Sequence, residues 1–111
     1  MTDKLVVLVT CSSAKEAERI ARSLVHKRLA ACSNILRSPV RSIYRWEEKI
    51  ESAREVLLII KTSRRRFPAL QATIKRLHSY EVPEIIALPI AAGFQSYLSW
   101  LAESVTPRKK R

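Results

Sequence analysis

The sequence contains a single glycine, Gly93. Nucleotide-cradling loops need several glycines, because only glycine lets the backbone approach a phosphate closely, so that class of chemistry is excluded. Cysteine is scarce as well, with only Cys11 and Cys32, and the two histidines, His26 and His78, lie far apart. There is no paired CxxC, no HExxH and no GxSxG, so no motif supports a zinc knot, a zinc hydrolase or a serine hydrolase. No apolar run approaches the ~18 residues of a membrane span, and the apolar start is too short for a signal peptide. A cytoplasmic protein is therefore expected, in which two thiols read as buried or ligating groups rather than as a disulfide.

What is present suits one globular domain. Hydrophobic residues make up 47% of the 111 residues and no stretch is of low complexity. This is enough chain to bury a core, though near the size at which a partner subunit helps. The domain is expected to run from Lys4 to Val105, with a disordered basic tail from 106 to 111. The net charge of +11 by itself suggests nucleic acid. Four of those charges fall in the terminal "PRKKR", leaving about +7 on the body, and three more are consecutive in "SRRRFP". Such runs read as solvated segments, so nucleic acid is not the expected partner.

Hydrophobic periodicity orders the chain. "KLVVLVT" reads as a central strand, and from Ala14 to Arg28 the spacing of Ala17, Ile20, Ala21 and Leu24 predicts a helix capped by Ser12 or Ser13. "LAACSNIL" predicts a strand ending near Pro39. "SIYRWEEK" predicts a further stretch, joined to the last as one bent hairpin arm, with a turn at Lys49 to Arg54. "EVLLIIKT" reads as a second central strand. Pro68 starts a second helix, with Phe67 near its N-cap, that must end by His78 or Ser79, ahead of Pro83. "EIIALPI" is a last long strand and "FQSYLSWLAESV" a closing helix with Phe94, Tyr97, Leu98 and Leu101 on one side. The order β-α-β-β-α-β-α predicts an α+β, ferredoxin-like antiparallel sheet with helices on one face. Both central strands are apolar on both sides, so the other face needs cover, and the simplest cover is another copy of the chain.

Three groups of residues bear chemistry. Cys11, Cys32 and His78 are soft or borderline ligands suited to copper(II) or zinc(II), too few to close a tetrahedral site, so a metal site would be open or shared. The alternative for His78 is a helix C-cap. Tyr44, Trp46, Tyr80, Tyr97 and Trp100 carry polar tips that Glu55, Lys61 and Glu84 at strand ends can satisfy, which predicts a polar, aromatic pocket. Arg64, Arg65 and Arg66 precede a helix N-terminus, where they either extend into solvent or meet an anion.

The pieces "VTCSSAKEAERIA", "LAACSN", "SIYRWEEKIESAREVLLIIKT", "LHSYEVPEIIALPI" and "YLSWL", together spanning residues 5 to 101, resemble the CutA family of divalent-cation tolerance proteins. The resemblance implies a ferredoxin-like subunit, a homotrimer similar in plan to PII signalling proteins, no enzymatic activity and a link to tolerance of copper and other divalent metals. It implies that Trp46, Lys61, Tyr80 and Glu84 surround a cavity between subunits. It also implies that Cys11, Cys32 and His78 match positions implicated in copper binding, with the metal not required for folding. A PII-like module binding a small anion in that cavity is the alternative. Two positions depart from the family pattern, Glu48 where a glycine is usual and Ser79 where a proline is usual.

Overall fold

The computed structural model describes residues 2–108. Seven elements follow in order: β1 (Lys4–Cys11), α1 (Ala14–His26), β2 (Cys32–Trp46), β3 (Lys49–Ser63), α2 (Phe67–Leu77), β4 (Ile85–Pro89) and α3 (Gln95–Ser104). The strands form one antiparallel sheet in the order β2-β3-β1-β4, the ferredoxin-like arrangement of two interleaved βαβ units. The expected start of the basic tail lies at Thr106, and its last three residues fall outside those described.

The period-2 pattern of β1 sorts its residues between two environments. Leu5, Val7, Val9 and Cys11 point to one face, where Val56, Leu58 and Ile60 of β3 join them beneath Ala17, Ile20 and Leu24 of α1 and Leu70 and Ile74 of α2. Val6 and Leu8 point to the other face, opposite Lys61 and Ile59 on β3 and Leu88 and Ile86 on β4. Among the described residues nothing covers most of that second face, and Ile86 and Leu88 are each 48% exposed. A smaller cluster of Ala31, Leu101, Val105 and Ile90 holds α3.

Local chemistry sets the ends. Ser13 caps α1, its Oγ accepting from Glu16 N–H at 3.1 Å. The helix stops at His26, before the Arg28 expected, because Arg28 turns left-handed (φ 59°), the conformation that ends many helices and usually falls to glycine. Helix α2 begins at Phe67, with Arg66 as N-cap and Pro68 in the first turn, and His78 is its C-cap.

The arm differs most from expectation. Residues 32–46 form one strand, broken only by a register shift: Leu36 lies opposite Leu57 and Val40 opposite Glu55, four steps on β2 against two on β3. Pro39 lies in that shift, where its missing N–H interrupts no ladder bond of a central strand. The turn is at Glu47 and Glu48, both left-handed (φ 48° and 69°), between the pair Trp46 and Lys49. Residues 49–55 therefore belong to β3 rather than to a turn. Beyond Glu55 the arm leaves β1 behind and continues as a two-stranded ribbon with Ile43 and Ile50 exposed at 68% and 64%. Such a ribbon is marginal by itself in water.

Candidate functional site

Three side chains converge where β1 runs into α1 and α2 ends. Ligand atoms of Cys11, Glu16 and His78 lie within 4.8 Å of one another, all three residues buried. The strand end places Cys11, the capped first turn of α1 places Glu16, and the C-cap of α2 places His78.

The hydrogen bonds define the state of each group. The Tyr80 N–H donates to His78 Nδ1 at 3.0 Å, so Nδ1 carries a lone pair. His78 Nε2, 2.8 Å from the Thr10 carbonyl, must then donate, and the ring is the neutral Nε2–H tautomer. Nδ1 also faces Glu16 Oε1 at 4.0 Å. Glu16 accepts from Ser12 N–H at 3.2 Å and Ser79 N–H at 3.0 Å, tying the start of α1 to the segment after α2. Burial works to raise its pKa, but the hydrogen bonds from Ser79 and Ser12 outweigh burial and hold the carboxyl below the usual range. Burial pushes the Cys11 thiol up to about 12, with help from the charges of Glu16 and Glu55.

Cys32 does not join this group. It pairs with Lys61 in the ladder and so lies on the opposite, uncovered face of the sheet, with Lys61 Nζ 4.0 Å from its sulfur. The two cysteines are free and, on opposite faces, positioned not to bond. Tyr97 lies against Cys32, its hydroxyl pKa raised by burial and by that neighbour, and stacks at a tilt on Trp100 at 5.4 Å.

The expected aromatic pocket is thus divided. Tyr44, Trp46, Glu55, Tyr80 and Glu84 line one open cleft of about 560 Å³ between the arm and the segment after α2, together with Thr10, Ser42, Ile43, Glu81 and Val82. Lys61 is turned to Asn34, and Tyr97 and Trp100 sit with α3. The Tyr80 hydroxyl donates to Glu55 Oε2 at 2.6 Å, and burial followed by that carboxylate raises its pKa. The His78 and Tyr80 rings are 4.7 Å apart, so the cluster and the cleft share a wall. Arg64 and Arg65 are exposed, whereas Arg66 donates to the Arg28 carbonyl at 3.3 Å. Glu16 was not among the expected ligands, although its spacing of three from Ser13 is that of a capping box.

No helix among the described residues is long and apolar enough to cross a membrane. The family model of the CutA1 divalent ion tolerance proteins matches residues 5–104. The divalent-cation tolerance protein CutA of Thermus thermophilus is 50% identical over 99 residues, which are 89% of this chain and 95% of that protein. The solved structure of the Thermus thermophilus protein superimposes with a TM-score of 0.90 at 48% identity, over 93% of this chain and 99% of that one. The protein from Archaeoglobus fulgidus, described as periplasmic, does so with a TM-score of 0.89 at 42% identity, over 93% and 99%.

Proposed function

The chain belongs to the CutA1 divalent ion tolerance family, and from that premise we propose a non-enzymatic metal-response protein that binds copper(II) or zinc(II) weakly at Cys11, Glu16 and His78. The convergence of these three donors carries the reading. A thiolate, a carboxylate and an imidazole suit a borderline metal, and three protein ligands leave a position open. His78 is in the tautomer that ligation through Nδ1 requires, and its other nitrogen is held by the Thr10 carbonyl, the usual supporting bond of a ligating histidine. Bound there, the metal would act as a Lewis acid toward these donors. Loading would displace the Tyr80 N–H from Nδ1 and remove the Cys11 proton, and both requirements weaken binding. Every group of the cluster already has a partner in the protein or remains a neutral thiol, so folding does not depend on metal.

The same proposal includes a homotrimer, with residues 4–105 as the folding unit. The uncovered face around Val6, Leu8, Ile86 and Leu88 and the unsupported arm both call for burial against other copies. The two free cysteines suit the cytoplasm. A small anion in the cleft is the weaker reading, because Glu55, Glu81 and Glu84 line it. Calorimetric titration of the reduced protein with Cu(II) and Zn(II) tests the metal site. Binding in the micromolar range should vanish in His78→Ala and Cys11→Ser and survive in Cys32→Ser. Binding indifferent to His78 and Cys11 would end the proposal.

A further inference from the structure

Charge is segregated on the folded chain. The arm from 41 to 55 carries as many glutamates as arginines and lysines, and its cleft adds Glu81 and Glu84. The helix layer over the covered sheet face has no such balance. Lys15, Arg19 and Arg22 recur at the spacing of one face of α1, all exposed, and Lys27 follows its end. Helix α2 exposes Lys75 and Arg76 and has no acidic residue, and Arg64 and Arg65 stand exposed before it. Against these, α1 exposes one carboxylate, Glu18, which Arg22 already binds at 2.9 Å, while Glu16 is buried.

The fold joins runs that lie apart in the sequence. Arg19 donates to the Leu77 carbonyl at 3.0 Å and Arg66 to the Arg28 carbonyl at 3.3 Å, so α1 and α2 lie antiparallel with cations at both ends. With its 13 residues α1 is about 20 Å long. On its other flank a groove of about 510 Å³ against edge strand β2 brings Arg37 to Lys15, Arg19 and Arg22. The runs that look like separate solvated segments in the sequence thus form one basic face. Among the described residues no salt bridge engages Lys15, Lys27, Arg64, Arg65, Lys75 or Arg76. The surfaces that call for other copies are the opposite sheet face and the arm, so assembly through them leaves this face outward.

The shape of the face narrows the partner. Its cations are spread along about 20 Å instead of converging on one point, which suits a polyanion and not a small anion. Val25 is the one large apolar side chain that these two helices expose among the described residues, too little to insert into a lipid surface. The helices expose no aromatic ring on which the bases of a single strand could stack. Two helices in contact lie about 8–10 Å apart, so their basic rows can reach both backbones across the ~12 Å major groove of B-form DNA. The major groove of duplex RNA is too narrow for that.

We infer that the face made by α1, α2 and the segment before α2 docks on the phosphate backbone of duplex DNA, without regard to base sequence. This surface is separate from the ligand cluster and does not depend on metal being bound there.

Fluorescence anisotropy of the full chain with a labelled DNA duplex of about 20 base pairs, between about 50 and 200 mM salt, provides the test. Binding is expected at the lower salt, equal for two unrelated sequences, and weaker by about 100-fold or more at the higher. Replacing three exposed cations together, Arg65→Gln, Lys75→Gln and Arg76→Gln, should weaken binding about ten-fold and lower the salt slope by about 2.7, the value for three lost phosphate contacts. The same loss is expected in a chain lacking residues 107–111. Thermal unfolding checks that the triple variant folds, and Lys15→Gln with Arg64→Gln serves in its place if it does not. Absence of binding at the lower salt, binding indifferent to salt, or loss confined to the deletion of 107–111 would overturn the assignment. Tighter binding of duplex RNA or of phosphatidylserine vesicles than of DNA would overturn it as well.

Discussion

Replacing Glu16 with alanine removes two backbone hydrogen bonds to a charged acceptor, those from Ser12 N–H and Ser79 N–H, besides the longer one from the Ser12 hydroxyl at 3.3 Å, at a residue that is 9% exposed. Each such bond contributes roughly 1.5 kcal/mol, so Glu16→Ala should destabilise by about 3 kcal/mol, and Glu16→Gln, which keeps a neutral acceptor, by about half of that. The pH dependence follows from the depressed pKa of the carboxyl. A group whose folded-state pKa lies below its unfolded value, about 4.3 for glutamate, contributes in full above that value. The contribution is lost as pH falls through the lower, folded value. Guanidinium unfolding at one protein concentration should therefore separate wild type from Glu16→Gln at about pH 7 and bring the two together in acid, once the carboxyl is protonated in both states. A gap of the same size at both pH values would show that the carboxylate charge is not what joins α1 to the 78–80 segment. A loss below about 1 kcal/mol in Glu16→Ala would show that the two bonds contribute little.

Metal affinity should rise about ten-fold per pH unit near neutrality, because binding must release the Cys11 proton, held to about 12 by burial; competition titrations across that range check it, and a flat profile would remove Cys11 from the ligand set. Glu48→Gly should stabilise by about 1 kcal/mol, since both turn residues are left-handed and glycine enters that region without a Cβ clash; thermal unfolding measures it, and a loss of stability would refute the account of the turn. Leu88→Glu, on the uncovered sheet face, should dissociate the expected trimer in sedimentation, whereas unchanged mass would place the interface elsewhere.

The parts of the fold that were legible in the sequence are those where burial imposes a period. In β1 and the second half of β3, one set of alternate residues is fully buried, so both strands stood out as apolar runs. The stripe of α1 was legible for the same reason. The arm was not, because Ile43, Tyr44, Trp46 and Ile50 are all exposed in the single chain and "EEKIESAR" reads as a charged turn when no face is buried. The candidate ligand cluster was two-thirds legible. Cys11 and His78 stood out as scarce residue types, while Glu16 is one of ten acidic residues and was not singled out. Cys32 stood out equally, and only the register, which sets it opposite Lys61 on the other face, separates it from Cys11.

The segment 78–80 explains why a histidine, a serine and a tyrosine follow α2 so closely. His78 faces the buried cluster, Ser79 gives its N–H to Glu16, and Tyr80 turns back to give its N–H to His78 and its hydroxyl to Glu55. The usual proline at position 79 has no N–H, so the bond to Glu16 exists here because serine replaces it. One short stretch therefore joins two carboxylates that lie on different strands and helices, Glu16 in the cluster and Glu55 in the cleft. Any change that takes the lone pair of His78 Nδ1 must also release Tyr80, the wall between them.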